Sequence, residues 1–284
     1  MKNLKKSKTV LTISLITLFL CNVQGQVAKG PESAGEGFAE TFGLPKNEIE
    51  EIIQSFVDDY KSDRYAAKAR IVGIEVPEVD GKWTITVTGK EIESKKWEVL
   101  LSRGLPKEPT YIYRAEATIL KAIHDGELNA MTAQVKAFSS DYAPLDAYEM
   151  EGFEPTEEEN GEMNAFSFHF WTKGFPEVIP FRPSATRKVH GGNASIFYYE
   201  KGLRSGWMSM APGDRVRDDA REQAQPFPMM GIIIKGTSKG IVDGVPVTVS
   251  EGNTVFIPAN VNHKWWNESE EPCELILIMF GKGA

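Results

Sequence analysis

From residue 44 onward, apolar positions recur first with a helical period and then with a period of two. Ile49, Ile52, Ile53, Phe56, Val57 and Tyr60 stand three and four residues apart, which predicts an amphipathic helix opening after Leu44-Pro45. Ile71 to Val76, Trp83 to Thr88, Trp97 to Leu101 and Thr110 to Tyr113 read as strands, with Asp80-Gly81 as a turn before the second. Ala115 to His124 puts Ile119, Leu120 and Ile123 on one face, and Gly126 ends that helix. Met131 to Phe138 fits either a helix or a strand. Farther on, Phe166, Phe168 and Phe170 alternate with Ser167 and His169, which predicts a strand. Short strands then follow at Ile196 to Tyr199, Trp207 to Met210, Met229 to Ile234, Val245 to Val249, Thr254 to Ile257 and Glu274 to Phe280. Evenly spaced short strands separated by Gly and Pro turns predict a barrel or sandwich.

The start of the chain has a different pattern. Lys2, Lys5, Lys6 and Lys8 precede an apolar stretch, Val10 to Leu20, that is too short to span a bilayer. Val23-Gln24-Gly25 supplies a cleavage site before Gln26, so residues 1–25 read as a signal peptide and the protein as exported, periplasmic or extracellular. An uncleaved anchor and lipidation at Cys21 are the alternatives. Residues 26–43 are rich in Gly, Glu and Ala and read as a flexible leader. Residues 151–163 carry acids together with Pro and Gly, and read as an acidic linker between an α+β domain (44–150) and an all-β domain (164–284).

The formal net charge is −8, and removal of the four signal-peptide lysines makes the mature chain more acidic. An acidic chain excludes nucleic acid as the expected partner. No later stretch is long enough for a membrane span. Of the two cysteines, only Cys273 survives signal cleavage, so no internal disulfide is expected.

Gly252, Pro258, Asn260, His263 and Asn267 occupy the spacing G-x(5)-P-x-G-x(2)-H-x(3)-N, with Asn260 in place of the second glycine. This stretch resembles the second motif of the cupin family, in which His263 would be a metal-ligand histidine. Counting back from Gly236 puts Met229 at the family's glutamate position and Gln223 and Gln225 at its two histidine positions. The resemblance therefore implies a cupin β-barrel with a degenerate metal motif, and no cofactor is predicted. A divalent metal, were one bound, would use His263, Gln223 and Gln225. Amide oxygens and a thioether are poor ligands for iron, manganese or zinc. If the register is shifted, Glu222 or Asp219 enters the pocket. Trp265 and Trp266 on one strand should face opposite ways, one toward the pocket. The expected cupin-pocket set is His263, Gln223, Gln225, Met229, Trp265 and Asn267. His190 reads as part of a surface turn.

Residues 45–150 resemble the sterol-carrier-protein-like fold. The likeness rests on the first helix, on Asp80-Gly81-Lys82-Trp83, and on the Ala115–His124 helix leading into Asp125-Gly126-Glu127-Leu128. It implies an apolar tunnel lined by Ile119, Leu120, Ile123, Leu128 and Met131, although an ordinary core would use the same residues.

No phosphate loop, serine-nucleophile elbow or paired zinc motif is present. The favoured reading is a binding protein for a small apolar or sugar-like ligand. The alternatives are a cupin-type metalloenzyme (oxygenase, isomerase or lyase) centred on His263, and a structural or interaction module that dimerises through the cupin.

Overall fold

A computed structural model describes residues 44–172, 177–222 and 224–284. The expected signal peptide, the leader and Gln223 lie outside the described residues. The first half opens with α1 (Lys46–Tyr60), whose apolar stripe is fully buried from Ile49 to Tyr60. Strands β1 (Arg70–Val76), β2 (Gly81–Glu91) and β3 (Trp97–Arg103) form an antiparallel meander. The chain then crosses over to β4 (Tyr111–Ala115), which pairs parallel to β1. Helices α2 (Ala117–His124) and α3 (Ala130–Gln134) lead into β5 (Leu145–Glu149), giving a sheet ordered β3-β2-β1-β4-β5.

The strand expected at Phe166 to Phe170 is instead the end of a helix, α4 (Glu157–Phe170). The expected linker also supplies the start of that helix, beginning at a capping box formed by Thr156 and Glu159. Two helix cues lay in the acidic run: carboxylates in the first turn favour the helix N-terminus, and Thr156 stands three residues before Glu159. Helix α4 belongs to the first core, where Met163, Phe166 and Phe170 pack with Phe56, Tyr60 and Tyr113. Phe166 and Phe170 stack at 5.0 Å, and both lie edge-on to Tyr60.

The second half is built from β6 (Arg187–Val189), β7 (Gly192–Glu200), β8 (Leu203–Met210), β9 (Arg215–Val216), β10 (Met229–Lys235), β11 (Thr237–Val242), β12 (Val245–Ser250), β13 (Thr254–Ile257), β14 (His263–Trp266) and β15 (Cys273–Phe280). They form a six-stranded sheet, β13-β10-β15-β8-β7-β6, and a four-stranded sheet, β12-β11-β14-β9. Cys273 is a buried free thiol in this core, and burial pushes its pKa up to about 11.

The two halves meet along a polar seam inside an apolar patch. The Thr132 hydroxyl lies 3.1 Å from the Ser195 hydroxyl and accepts the Ile196 amide at 3.0 Å. Arg187 donates to the carbonyls of Ala133 at 3.0 Å and Tyr142 at 2.7 Å. Met131, Ala165, Ile196 and Tyr199 close around this seam.

Among the described residues, the expected tunnel residues pack into the core rather than around a tunnel. Leu120 and Ile123 are buried in the first core, and Ile119 and Leu128 pack against it. Met131 faces the seam. The space recorded beside it is about 10 Å³, room for roughly one water molecule.

Candidate functional site

The two sheets of the second half enclose a cavity of about 940 Å³. Its walls follow strand alternation. On β8 the inward residues are Arg204, Gly206, Met208 and Met210; on β15 they are Leu275, Leu277 and Met279. A bulge between Ile196 and Tyr198 changes the phase of β7, so that Ile196 and Tyr199 both reach the lining. The rim comes partly from the first half: residues 135–138, immediately after α3, form one lip, and Arg221 lies 4.4 Å over the Phe138 ring.

A polar cluster interrupts the apolar wall. His263 is 1% exposed. Its Nδ1 lies 3.0 Å from the Val261 carbonyl, which selects the tautomer with Nδ1 as donor. The lone pair on Nε2 is then left buried and without a partner. Burial is the main force holding the His263 pKa down at about 4, and the cation of Arg217 adds to it. His263 is therefore a neutral imidazole at neutral pH.

Gln225 precedes β10. Its Oε1 accepts from Arg217 Nη2 at 2.7 Å, and its Nε2 is buried and unpartnered. Its backbone carbonyl accepts from Asn260 N at 2.7 Å. Asn260 has φ 61°, the left-handed conformation that asparagine tolerates best after glycine. Arg217 also donates to the Glu222 carbonyl.

His190 stands opposite, its Nδ1 2.7 Å from the Glu222 carboxylate. Burial and Arg217 both lower its pKa, while Glu222 works against them. It lies on the turn between β6 and β7, as its sequence context suggested, but its side chain is half-buried and lines the cavity. Gly191, at φ 91°, brings the turn so close to β9 that a Cβ there would lie 1.9 Å from the Arg215 carbonyl. That contact presses His190 against the cavity, and the Gly191-Gly192 pair is the sequence signal that could have revealed it.

The cavity therefore brings together His263, Gln225, Met229 and Trp265 from the expected set and adds His190, Arg204, Arg217 and Glu222. Trp265 faces in. Trp266 faces out, donates to Glu268 at 2.9 Å and lies under Arg215. Asn267 departs from expectation: it is buried, but its amide donates to the carbonyls of Met210 at 3.0 Å and Glu271 at 2.8 Å. It clamps a turn and has no donor left for a ligand.

The donor set does not suit a divalent cation. No group of three His, Cys, Asp or Glu side chains converges among the described residues. Among the described residues the cupin-motif positions offer one imidazole, one amide and the Met229 thioether, and the Arg217 guanidinium bonded to the amide oxygen repels a metal ion. Among the described residues, the cluster's carboxylate, Glu222, is engaged by His190.

A family model described as Cupin domain matches residues 206–279. Among solved structures, the chain is similar to a Cupin 2 conserved barrel domain protein from Salinispora arenicola CNS-205, at 16% identity and TM-score 0.34 over 38% of this chain and 91% of that one. It is also similar to the plu4264 protein from Photorhabdus luminescens, at 14% identity and TM-score 0.33 over 37% and 88%. A third is an RmlC-like cupin from Shewanella frigidimarina NCIMB 400, at 18% identity and TM-score 0.28 over 32% and 77%. No curated protein matches the chain. The C-terminal part of this protein is a cupin domain.

Proposed function

We propose that this is an exported binding protein whose cupin cavity holds a small, mainly apolar molecule with a hydrogen-bonding head. One observation carries the reading: an apolar-walled cavity of about 940 Å³ contains a buried acceptor, His263 Nε2, and a buried donor, Gln225 Nε2, neither of which has a protein partner. Leaving such groups unpaired costs about 1–3 kcal/mol each, so a ligand that satisfies them gains affinity. The volume is that of a small-molecule site. It argues against a filled barrel serving only as an interaction module.

The sterol-carrier-like fold remains our reading of the first half. The opening helix, the three-stranded meander and the crossover to a parallel β4 support it. Because the expected tunnel residues pack into a core, we assign the ligand to the cupin cavity.

The His190–Glu222 pair favours a second reading, acid–base catalysis without a metal, since a carboxylate that orients an imidazole is an arrangement used by general bases. An enzyme of this kind would lose turnover on Glu222→Gln and keep ligand affinity.

Gly231 offers the test of binding. A Cβ there would meet Val255 at 3.4 Å, an ordinary contact, and a large side chain would fill the cavity. The wild-type protein is expected to take up a neutral solvatochromic dye, and Gly231→Phe to bind it at least ~10-fold more weakly with an unchanged circular dichroism spectrum. Equal uptake by both proteins, or none by the wild type, would overturn the proposal.

A further inference from the structure

Arg204 is the one charged side chain among the inward positions of β7, β8, β10, β13 and β15. It follows the turn into β8 and faces Met279 on β15, which in turn faces Met229 on β10. Its guanidinium lies 5.4 Å from the Tyr199 ring and 6.0 Å from the Phe227 ring, and its Nε is buried without a hydrogen-bond partner. The Tyr199 side chain also hydrogen-bonds the guanidinium, but neither ring supplies a negative charge to balance it.

The acidic side chains on the same cavity are already engaged. Glu157 pairs with Lys282 at 3.2 Å, Glu158 with Lys201 at 3.4 Å, and Glu222 with His190 at 2.7 Å. Arg204 makes no ion pair among the described residues, and burial lowers its pKa with only Tyr199 opposing. A guanidinium stays protonated in a protein, so Arg204, half-buried with its Nε closed off from solvent, holds a positive charge at the cavity wall without a counter-charge. Such a charge is costly unless something pairs with it.

We infer that Arg204 receives the anionic head of the cavity's ligand, and that the ligand is an amphipathic monocarboxylate whose apolar body lies along the methionine and leucine wall. This rests on the binding reading above and gives it a ligand class. One carboxylate neutralises one guanidinium and matches its planar fork with two parallel hydrogen bonds. A phosphate monoester carries close to two negative charges, one more than Arg204 alone neutralises.

Dodecanoate, dodecanol and dodecyl phosphate titrated into the purified protein and into Arg204→Met provide the test, with Trp207 and Trp265 on the cavity as fluorescent reporters. The wild type is expected to bind dodecanoate roughly 10- to 100-fold more tightly than dodecanol. Arg204→Met should erase that preference, leave dodecanol affinity within about twofold, and melt no lower than the wild type, because an apolar residue replaces an unpaired charge on an apolar wall. Arg204→Lys should retain part of the preference, as a point charge without the fork.

A carboxylate preference that survives in Arg204→Met would overturn the inference while the cavity reading stands. An Arg204-dependent preference for dodecyl phosphate over dodecanoate would overturn the carboxylate assignment. A lower melting temperature in Arg204→Met with loss of all three ligands would make Arg204 a structural residue. If none of the three binds the wild type, the cavity reading falls as well.

Discussion

The buried imidazole of His263 should make stability depend on pH in a defined window. In the fold its pKa is held at about 4, against 6.5 for a free imidazole. At 1.36 kcal/mol per pKa step, that depression is worth ~3 kcal/mol. The sign follows from which state binds the proton. As pH falls below 6.5 the unfolded chain protonates His263 first, so the folded state loses ground. The loss accumulates down to about pH 4 and then levels off, because the folded protein protonates too. Other groups titrate over the same range, so the comparison is with His263→Asn, whose amide can replace the Nδ1 donor to Val261 but does not titrate. Urea melts from pH 8 to pH 4 should show the difference in unfolding free energy between the two proteins changing by ~3 kcal/mol against the wild type. A difference that stays flat across that range would refute the reasoning. It would mean that His263 Nε2 is hydrated well enough to accept a proton at its ordinary pKa.

Two further substitutions test the architecture around the site. Gly191→Ala should lower stability by at least ~2 kcal/mol, since it adds a Cβ against the Arg215 carbonyl and places an L side chain at φ 91°. The shift of His190 away from Glu222 would be visible in the imidazole NMR signals. Thr132→Val should cost ~1–3 kcal/mol by leaving the Ile196 amide and Ser195 unpaired in the seam. Adding Ser195→Ala should cost less than the sum of the single changes in a double-mutant cycle by thermal melts, because both act on one network.

Periodicity made much of this fold legible. The α1 stripe lies in the core as its spacing predicts, and β13 spans Thr254 to Ile257 as read from sequence. Alternation misled at Phe166 to Phe170, where the same residues also carry a helical pair: Phe166 and Phe170, four apart, face the core. With only a few residues after an acidic run, a period of two and a period near four cannot be told apart without the cap, and Thr156 is the residue that decides. The short strands β6 and β9 have no sequence signature, because β6 pairs across the Gly191 turn and β9 pairs with the distant β14 rather than through their own composition.

The site was legible where the cupin spacing reached it. His263, Gln225, Met229 and Trp265 line the cavity, whereas Asn267 turned out to serve a loop. Arg204, Arg217 and His190 lay beyond that spacing. An arginine near a strand end normally reads as solvated, and only the phase of β8 turns Arg204 inward.

Residues 135–138 give the first half of the chain a direct hold on the barrel's mouth. That lip is a short connection whose Val135 packs against the barrel core and the seam and whose Lys136 pairs with Asp146 at 2.6 Å, so the freedom to change lies at Ala137 and Phe138. The barrel supplies the chamber and its cationic side chain, and under the proposed binding reading, selectivity by size and shape is adjustable from outside it. For engineering, the lip is the place to diversify when retargeting the protein to a new ligand. In descent, it would let one chamber serve several molecules while the packing that encloses it stays as it is.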